Sequence, residues 1–376
     1  MPRLDHPITR LLALLIGVIL ALPWELNLLV KSAQFCASAA FMTYGLMPGV
    51  IRLAEYFGAI DIPGGRRAHR QPTPRLGGLA VLISANATLF LNFNYSLELK
   101  GVALSALFVA MISMLDDIDE VSAGAKLLFQ VMACALMMAF GVHIELIPGS
   151  GWEGEALEFA ITLLWMVGIT NAFNFLDGVN GLAASLAAAT CLLMALLALL
   201  TGQTYMLLLC LAVAGASLGF LPDNARYKKP ARIFLGDVGS TYLGWMMAGI
   251  AVMGDWSSEG PIKAFSAPVL IFSVMIFDMI YTTIARIGRG DVRSVREWID
   301  YVGRDHLHHR FMKLGYEPIY AVGAIVALCL VTGLAALALV VDSSHVMWMQ
   351  LGQVVVIYVV VSAVMIDAAK KRGNGQ

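Results

Sequence analysis

Residues 182–221 read LAASLAAATCLLMALLALLTGQTYMLLLCLAVAGASLGFL and contain no charged side chain. The stretch divides into two apolar runs, 182–201 and 203–221, and each has about the ~20 residues that a helix needs to cross a ~30 Å hydrocarbon core. The whole chain follows this pattern, since 59% of its 376 residues are hydrophobic and 14% are charged, against roughly a quarter charged in soluble domains. The sequence therefore predicts an all-α polytopic membrane protein.

Ten further apolar runs accompany this pair. The twelve runs, in order, are 10–30, 33–55, 77–95, 100–115, 125–143, 157–173, 182–201, 203–221, 239–254, 265–285, 318–341 and 346–368. Several are short or contain Gly, so we expect 11–12 transmembrane helices in one integral membrane domain over residues 1–376. The longest polar segments are the loops 56–76, 222–238 and 286–317.

The N-terminal run resembles a secretory signal peptide at first sight. Arg3 and Arg10 precede the apolar stretch from Leu11 to Leu22, but no small-residue cleavage site follows and the next apolar run begins almost at once. We therefore expect an uncleaved membrane helix near 10–30, followed by the main helical core over 33–368.

The distribution of Lys and Arg predicts the orientation in the membrane. With the N-terminus in the cytoplasm, 22 of the 25 basic residues fall on the cytoplasmic side, and only Lys31, Lys100 and Lys263 fall on the other. This bias follows the positive-inside rule and favours an even number of spans. The formal net charge of −1 gives no indication of a nucleic-acid partner. The five cysteines stand singly in apolar runs and indicate neither a disulfide framework nor a zinc site.

Four polar clusters lie at the predicted cytoplasmic ends of different helices, which suggests one shared, water-accessible site. The first is the segment 114–120, MLDDIDE. Asp116 and Asp117 follow an apolar run directly, and adjacent carboxylates repel each other unless a cation lies nearby. They therefore suggest a divalent metal ion or a metal-bound phosphate. Asp119 and Glu120 equally suit acidic capping of the next helix.

The second cluster is the segment 171–182, NAFNFLDGVNGL. Asn171, Asn174, Asp177 and Asn180 recur at a spacing of three, which places side chains on one face of a helix. Three amides and a carboxylate in this register favour a binding site. The alternative is an ordinary helix C-terminus capped by Asn and Gly.

The third and fourth clusters offer groups that bind phosphate. The segment 233–241, IFLGDVGST, places Asp237 between two glycines where a new helix should begin. Helix N-termini bind phosphate, and an acid there can hold Mg²⁺ against it; alternatively, Asp237 only caps the helix. The segment 304–310, RDHLHHR, offers three His and two Arg to a pyrophosphate or a sugar. A zinc site and a merely solvated basic loop are the alternatives for this fourth cluster.

Three other features suggest contact with phosphate or lipid. The loop 64–78 carries four arginines and a histidine, which either contact lipid phosphates or only anchor the loop by their charge. The segment Val292–Ile299 alternates apolar residues with arginines, which fits a helix lying in the membrane interface. Asp278 lies inside an apolar run and is therefore a functional candidate, unless it pairs with Arg286 two turns onward.

Five motifs in this order resemble the polyprenyl-phosphate N-acetylhexosamine-1-phosphate transferases. They are PTPRLGG (72–78), DD (116–117), NAFNFLDG (171–178), FLGDVGS (234–240) and HLHH (306–309). The His-x-His-His run is similar to the WecA and TagO branch of that family rather than the MraY branch. Two features depart from the family pattern, since Asn180 stands where many relatives have Asp and the run at 10–30 is additional.

The resemblance implies transfer of N-acetylglucosamine-1-phosphate from UDP-N-acetylglucosamine to undecaprenyl or another polyprenyl phosphate, with release of UMP. The reaction would take place at the cytoplasmic face of a bacterial inner membrane and initiate a cell-envelope glycan such as lipopolysaccharide. Another UDP-N-acetylhexosamine, or UDP-N-acetylmuramoyl-pentapeptide, is the alternative donor. The resemblance also implies a Mg²⁺ cofactor, with Mn²⁺ as the alternative, and a homodimer.

The resemblance assigns roles to individual residues. Asp237 would hold the metal ion, and Asn174 and Asp177 would help to form the metal site. Asp116 and Asp117 would act at the attacking phosphate, either as metal ligands or as a base. His306 and Asp177 are further catalytic candidates. The substrate-binding candidates are Asn171, Asn174, Asn180, His308, His309, Arg304, Arg75, His69, Arg70 and Phe234.

Two other classes of protein remain open at this point. A transporter would also have about twelve spans, although it should place polar groups near the bilayer midplane, often in repeated halves. A CDP-alcohol phosphotransferase also joins phosphate to lipid, but its Asp-Gly-x-x-Ala-Arg signature is missing because Asp177-Gly178 continues as Val-Asn-Gly.

Overall fold

The structure is a computed structural model that describes residues 6–63, 71–92, 96–146, 151–226, 228–301, 303–341 and 344–373. These residues form fifteen helices and one two-stranded sheet. The helices are α1 (Pro7–Leu20), α2 (Leu28–Phe57), α3 (Gly77–Asn92), α4 (Leu97–Ile118), α5 (Ala123–Ala139), α6 (Trp152–Leu176), α7 (Leu182–Leu200), α8 (Thr204–Asn224), α9 (Gly236–Met253), α10 (Pro261–Ile271), α11 (Ser273–Arg289), α12 (Val295–Asp300), α13 (Leu307–Lys313), α14 (Pro318–Val341) and α15 (Ser344–Gly373). The strands are β1 (Ile60–Asp61) and β2 (Thr73–Pro74).

Each of the twelve apolar runs contains helix within the described residues, which confirms the all-α polytopic class. Within the described residues, six helices are long and apolar enough to span a bilayer, and a seventh span results if α10 and α11 are counted as one bent unit. The three helices α1, α3 and α5 are apolar but shorter than 18 residues. The N-terminal run begins a helix at Pro7 that ends at Leu20, so the expected helix near 10–30 is shorter than the sequence indicated.

The centre of the bundle is formed by α7, α8 and α9, whose side chains are buried on nearly all faces. The long helix α2 packs closely against α8 because two glycines of α8 face its backbone. A Cβ atom on Gly215 would lie 2.1 Å from the carbonyl oxygen of Cys36, and one on Gly219 would lie 2.2 Å from that of Ala40. Small residues at such positions let two membrane helices approach backbone to backbone.

The run predicted at 265–285 is not one continuous helix. It is divided at Phe272 into α10 and α11, which meet at an angle of 74°. Pro268 lies one turn before the break, and a proline inside a helix removes a backbone hydrogen bond and commonly kinks it. The run at 265–285 is therefore a bent pair of helices.

The bend directs a polar stripe of α11 into the protein. Asp278, Thr282 and Arg286 recur at a spacing of four and are all buried, so they share the inward face of the helix. The interfacial helix predicted over 292–299 begins only at Val295, where Ser294 caps α12. Trp298 donates a hydrogen bond from Nε1 to Oγ1 of Thr283 at 3.0 Å, which holds α12 against α11.

The small sheet holds the segment 73–78 beside the start of α9. The strands pair antiparallel, with Ile60 opposite Pro74, and the carbonyl oxygen of Pro74 accepts a hydrogen bond from the amide of Phe234 at 2.8 Å. The amides of Gly77 and Gly78 in turn donate to the carbonyl oxygens of Phe234 and Leu235. The sequence motifs 72–78 and 234–240 are thus joined by backbone hydrogen bonds.

Candidate active site

The end of α4 and the beginning of α9 meet through a carboxylate. Asp117 accepts hydrogen bonds from the backbone amides of Asp237 at 3.1 Å and Val238 at 2.9 Å. The first amides of any helix lack partners within it, so Asp117 satisfies two of those of α9. Asp237 therefore does not cap the helix, as one alternative held, but lies in its first turn. Two of the amides that a bound phosphate would use are also occupied by Asp117.

Arg75 and Gly236 complete this junction. Arg75 donates from Nε to the carbonyl oxygen of Asp117 at 2.9 Å, and its Nε lies 3.7 Å from the Asp117 carboxylate. Gly236 has φ +77°, and a Cβ atom there would lie 1.9 Å from the carbonyl oxygen of Arg75. Only glycine is compatible with both the left-handed backbone and this contact.

Lys126 on α5 connects two of the predicted acidic residues. Its ammonium group contacts a carboxylate oxygen of Asp116 and lies 3.2 Å from Oδ2 of Asp237. The sequence indicated Lys126 only as one positive charge among those on the cytoplasmic side, so this functional candidate was missed. Its place in the first turn of the helix that follows the Asp-rich cluster is the one signal that could have identified it. We name Asp116, Asp117, Asp237 and Lys126 the carboxylate–lysine cluster.

Asn174 on α6 joins the same cluster. Its Nδ2 donates to Oδ1 of Asp237 at 3.1 Å and to Oγ of Ser240 at 2.7 Å. Asp177 follows as the C-cap of α6, where the negative charges of Asp237 and Asp117 both act on its carboxyl group. Helices α4, α5, α6 and α9 therefore bring five of the polar residues together at one end of the bundle.

The other two amides of the second motif lie elsewhere. Asn171 donates from Nδ2 to Oε1 of Gln130 on α5 at 2.8 Å, one turn away from the cluster. Helix α6 ends at Leu176, so Asn180 is not on the helical face that the spacing of three predicted. The Asn180 side chain is exposed and makes no hydrogen bond to another residue in the described part of the chain.

The acidic residues after Asp117 do not cap the next helix. Ser122 is the N-cap of α5 and accepts a hydrogen bond from the amide of Ala125 at 3.3 Å. Asp119 instead ends α4 as its C-cap, and Glu120 lies in the exposed connection between the two helices. The alternative of acidic capping was therefore wrong for these two residues.

A second ionic group surrounds the first histidine of the fourth motif. Asp278 accepts the amide of Leu307 at 2.6 Å and lies 2.7 Å from Nδ1 of His306, while Nε2 of His306 lies 3.2 Å from Arg286. Because a guanidinium can only donate, Nε2 accepts from Arg286 and Nδ1–H donates to Asp278. Both ring nitrogens of His306 thus have protein partners.

Arg286 pairs with Asp305 and not with Asp278, so the pairing considered from the sequence was wrong. The Arg286 guanidinium holds the Asp305 carboxylate at 2.8 and 3.0 Å, and Arg289 adds a contact at 2.9 Å. Burial favours the neutral acid at Asp305, but its hydrogen bonds and the charge of Arg286 prevail and lower its pKa to about 2. We name Asp278, His306, Arg286 and Asp305 the histidine–arginine network.

His308 lies between the two groups. Its side chain is 1% exposed, and its Nε2 would be 2.3 Å from a Cβ atom on Gly178. Neither ring nitrogen has a hydrogen-bond partner within the described residues. Burial, with the charges of His309 and His306, lowers the pKa of His308 to about 3. His308 is therefore a neutral imidazole at pH 7, placed against Gly178 of the second motif.

The remaining candidates lie at the edge of this site or beyond it. Burial and the positive charge of Arg304 lower the pKa of His309 to about 4, and the Arg304 side chain itself is exposed. Phe234 is half-buried and contributes its backbone to the pairing with Pro74. His69 and Arg70 lie outside the described residues, as does the whole first part of the arginine-rich loop, residues 64–70.

The donor groups suit a hard divalent cation. Within the described residues, no three His, Cys, Asp or Glu side chains are grouped closely enough to hold a metal ion by themselves. Asp116 and Asp237 nevertheless share the ammonium group of Lys126, and the side chain of Asp237 is 36% exposed. Carboxylate oxygens are the ligands that Mg²⁺ prefers, usually one or two per ion together with substrate phosphates. The residues present therefore fit such an ion.

The all-α membrane bundle brings these motifs together in an acidic cluster at one end. The motifs resemble those of membrane-embedded sugar-phosphate transferases. Residues 99–255, which span α4 to α9, match the model of glycosyl transferase family 4. A stretch of 313 residues is 31% identical to the probable undecaprenyl-phosphate N-acetylglucosaminyl 1-phosphate transferase of Bacillus subtilis (strain 168) and covers 81% of this chain and 83% of that protein. The chain therefore belongs to the glycosyl transferase family 4.

Two further relatives indicate how widely the similarity extends. The decaprenyl-phosphate N-acetylglucosaminephosphotransferase of Mycolicibacterium smegmatis is 31% identical over 315 residues, which cover 76% of each chain. The phospho-N-acetylmuramoyl-pentapeptide-transferase of Limosilactobacillus fermentum is 34% identical over 239 residues, which cover 58% of this chain and 74% of that protein. The similarity to the N-acetylglucosamine transferases thus extends over more of this chain than the similarity to the pentapeptide transferase does.

Proposed function

We propose that this protein transfers N-acetylglucosamine-1-phosphate from UDP-N-acetylglucosamine to undecaprenyl phosphate at the cytoplasmic face of a bacterial inner membrane. The observation that carries the proposal is the carboxylate–lysine cluster together with Asn174, which four helices assemble at one end of the bundle. The names of the relatives with the longest matches support the phosphate carrier and the N-acetylglucosamine donor. UDP-N-acetylmuramoyl-pentapeptide is the second donor to test because of the shorter match to its transferases.

The proposed reaction is a phosphoryl transfer between two phosphate compounds. An oxygen of the carrier phosphate forms a bond to the β-phosphorus of the UDP-sugar, and the bond from that phosphorus to the bridging oxygen breaks, so that UMP leaves with the electron pair. Phosphoryl transfer needs mainly positioning and neutralisation of charge. Bound Mg²⁺, held by Asp237 and Asp177, would supply part of that neutralisation.

The side chains of this chain then have distinct tasks. Asn174 orients the Asp237 carboxylate by its hydrogen bond of 3.1 Å. Asp117 fixes the first turn of α9 through two backbone amides, so its task is to position Asp237. Asp116 contacts Lys126, accepts the amide of Val121 and interacts with the Asp237 carboxyl group, and we assign it to the attacking carrier phosphate. His308, neutral and beside Gly178, can donate one N–H to a phosphate or sugar oxygen.

The distribution of polar groups favours a transferase over a transporter. A transporter site is expected near the bilayer midplane, at the interface of repeated halves. Here the cluster is built from the last turn of α4, the last turn of α6 and the first turns of α5 and α9. These are helix ends, where a water-soluble nucleotide sugar and the phosphate of a membrane lipid can both arrive.

The test is a panel of nucleotide sugars with the purified protein in detergent. UDP-N-acetylglucosamine, UDP-N-acetylgalactosamine and UDP-N-acetylmuramoyl-pentapeptide are each incubated with undecaprenyl phosphate and Mg²⁺, and the lipid products are identified by mass. We expect the N-acetylglucosamine product and exchange of labelled UMP into UDP-N-acetylglucosamine. Absence of exchange with all three donors would contradict the proposal, and a product from the pentapeptide donor alone would correct its substrate. Asp255→Asn, in the exposed loop after α9, is a charge-matched control that should retain full activity.

A further inference from the structure

A cavity of about 420 Å³ lies between α1, α2 and the end of α8, apart from the candidate active site. One side of it is apolar and the other is basic. The apolar lining includes Leu11 and Leu14 of α1 and Pro48 and Ile51 of α2. The basic lining comes from three arginines, Arg10, Arg52 and Arg232.

The floor of the cavity is a buried ion pair. Arg10 holds both carboxylate oxygens of Asp223 at 2.7 Å, and its guanidinium lies 3.7 Å from the ring centre of Tyr44. Both charges are almost completely buried, with 5% and 1% of their side chains exposed. This bidentate pair closes the inner end of the cavity and ties α1 to α8.

The described residues that line the cavity include more positively than negatively charged side chains. Asp223 also accepts Arg232 at 3.3 Å, so one carboxylate faces Arg10 and Arg232 together. Arg52 is exposed and makes no ion pair or hydrogen bond with another residue in the described part of the chain. The described residues of the lining include three arginines and one aspartate, which together carry a formal charge of +2. The cavity is therefore complementary to an anion.

The arrangement of these charges indicates the class of ligand. Arg52 lies five residues before the end of α2, and Arg232 lies in the loop between α8 and α9, so both are near one end of the helices, where lipid headgroups would lie. The apolar wall leads away from them along α1 and α2. Basic pockets between membrane helices bind acidic lipid headgroups. We propose that this cavity binds an anionic phospholipid of the bilayer, with its phosphate at Arg52 and Arg232 and an acyl chain against Leu11, Leu14 and Ile51.

The experiment titrates the purified protein with dioleoyl phosphatidylglycerol or dioleoyl phosphatidylcholine and counts bound lipids by native mass spectrometry. We expect one phosphatidylglycerol that is retained more tightly than phosphatidylcholine. Since one basic residue near a membrane surface contributes about 1 kcal/mol to binding of an acidic lipid, Arg52→Gln should weaken the phosphatidylglycerol about five-fold. Ile51→Trp, which fills the apolar wall without changing charge, should weaken both lipids at this site.

The matched control is Lys229→Gln, which removes an exposed positive charge near Arg232 that does not line the cavity. It should leave binding unchanged. Equal retention of the two lipids, or an equal loss in Lys229→Gln and Arg52→Gln, would overturn the proposal. Displacement of the phosphatidylglycerol by an equal concentration of undecaprenyl phosphate would also overturn it, because the cavity would then belong to the carrier lipid. None of these outcomes depends on transferase activity.

Discussion

The carboxylate–lysine cluster and the histidine–arginine network are neighbours, yet their charges are used differently. Asn174 contacts the first group and the next residue, Phe175, stacks on His306 of the second at 5.0 Å. In the first group Asp116 and Asp237 share the ammonium of Lys126, and the side chains of Asp237 and Lys126 are 36% and 33% exposed. In the second group the charged side chains are bonded within the protein, Arg286 to Asp305 and Asp278 to His306, and the side chains of His306 and Asp278 are 6% and 2% exposed.

This difference indicates that the carboxylate–lysine cluster takes part in the reaction and that the histidine–arginine network holds the structure in position. An unbalanced, accessible negative charge is available to a cation or a phosphate, and such groups are found at functional sites. A balanced and buried ionic network has no group left for a ligand, and loss of one partner leaves an uncompensated charge in the protein interior. Substitutions in the first group should therefore reduce turnover, and substitutions in the second should reduce stability first.

The largest effect is expected for Asp237→Asn. It removes the most accessible charge of the carboxylate–lysine cluster while keeping the shape of the side chain, so UMP release should fall by at least about a hundred-fold, the range found when one stabilising group is removed from an active site. The thermal midpoint of the protein should stay within a few degrees of the wild type. Normal turnover in this variant would exclude Asp237 from the metal site.

Asp278→Asn should instead change stability. The variant replaces by a neutral amide the carboxylate that accepts hydrogen bonds from Nδ1 of His306 and the amide of Leu307, and a hydrogen bond to a charged group contributes about 1.5–3 kcal/mol. Thermal denaturation in detergent should show a clear fall in the midpoint. The remaining activity should be lower in kcat with little change in KM, because His306 moves and the substrate contacts remain. An unchanged midpoint would show that the network is not a structural support.

Lys126→Met tests the balance of charge in the first group. The variant leaves Asp116 and Asp237 without their shared ammonium, so a divalent cation should replace it more readily. We expect about a ten-fold fall in turnover at low Mg²⁺ that is partly restored as Mg²⁺ is raised. The measurement is UMP release over a Mg²⁺ titration, with Lys313→Met, on the exposed end of α13, as a control. A fall that Mg²⁺ does not restore would mean that Lys126 itself binds substrate.

The buried His308, which lies between the two groups, should make the stability of the protein depend on pH. Its folded pKa of about 3 lies below the ~6.5 of an exposed histidine, so between these values the unfolded chain binds more protons than the folded one. Stability is then highest above pH 6.5 and falls as the pH is lowered toward 3, by up to about 1.4 kcal/mol per pH unit for this group. Thermal midpoints between pH 8 and pH 5 should decline less in His308→Gln. Equal slopes for both proteins would contradict the burial of a neutral His308.

The smallest effect is expected for Asn180→Ala. The side chain is exposed and has no hydrogen bond within the described residues, and surface substitutions of this kind usually change stability by less than about 0.5 kcal/mol. Turnover and thermal midpoint should both remain within about two-fold and two degrees of the wild type. A large loss of turnover alone would mean that Asn180 contacts a bound substrate.

Some parts of the site could be predicted because their signal is local. Asp116 and Asp117 follow an apolar run directly and Asp237 comes just before one, and a charge at the end of an apolar run must lie at the membrane surface or in a polar site. Asn174 was suggested by its spacing from Asp177. Asn180 was misplaced because the spacing rule holds only while the helix continues, and α6 ends at Leu176.

The sequence by itself determined the class of this protein. Twelve apolar runs require helices because the bilayer core leaves no other partner for backbone amides and carbonyls, and the relatives with matching sequence confirm the family. The tertiary structure alone decided which charges meet. The capping of α9 by Asp117, the bridge formed by Lys126 and the pairing of Asp278 with His306 join residues 10 to 121 positions apart. Such contacts depend on how helices pack against one another. The periodicity of apolar and polar residues along the chain does not indicate which helices will meet.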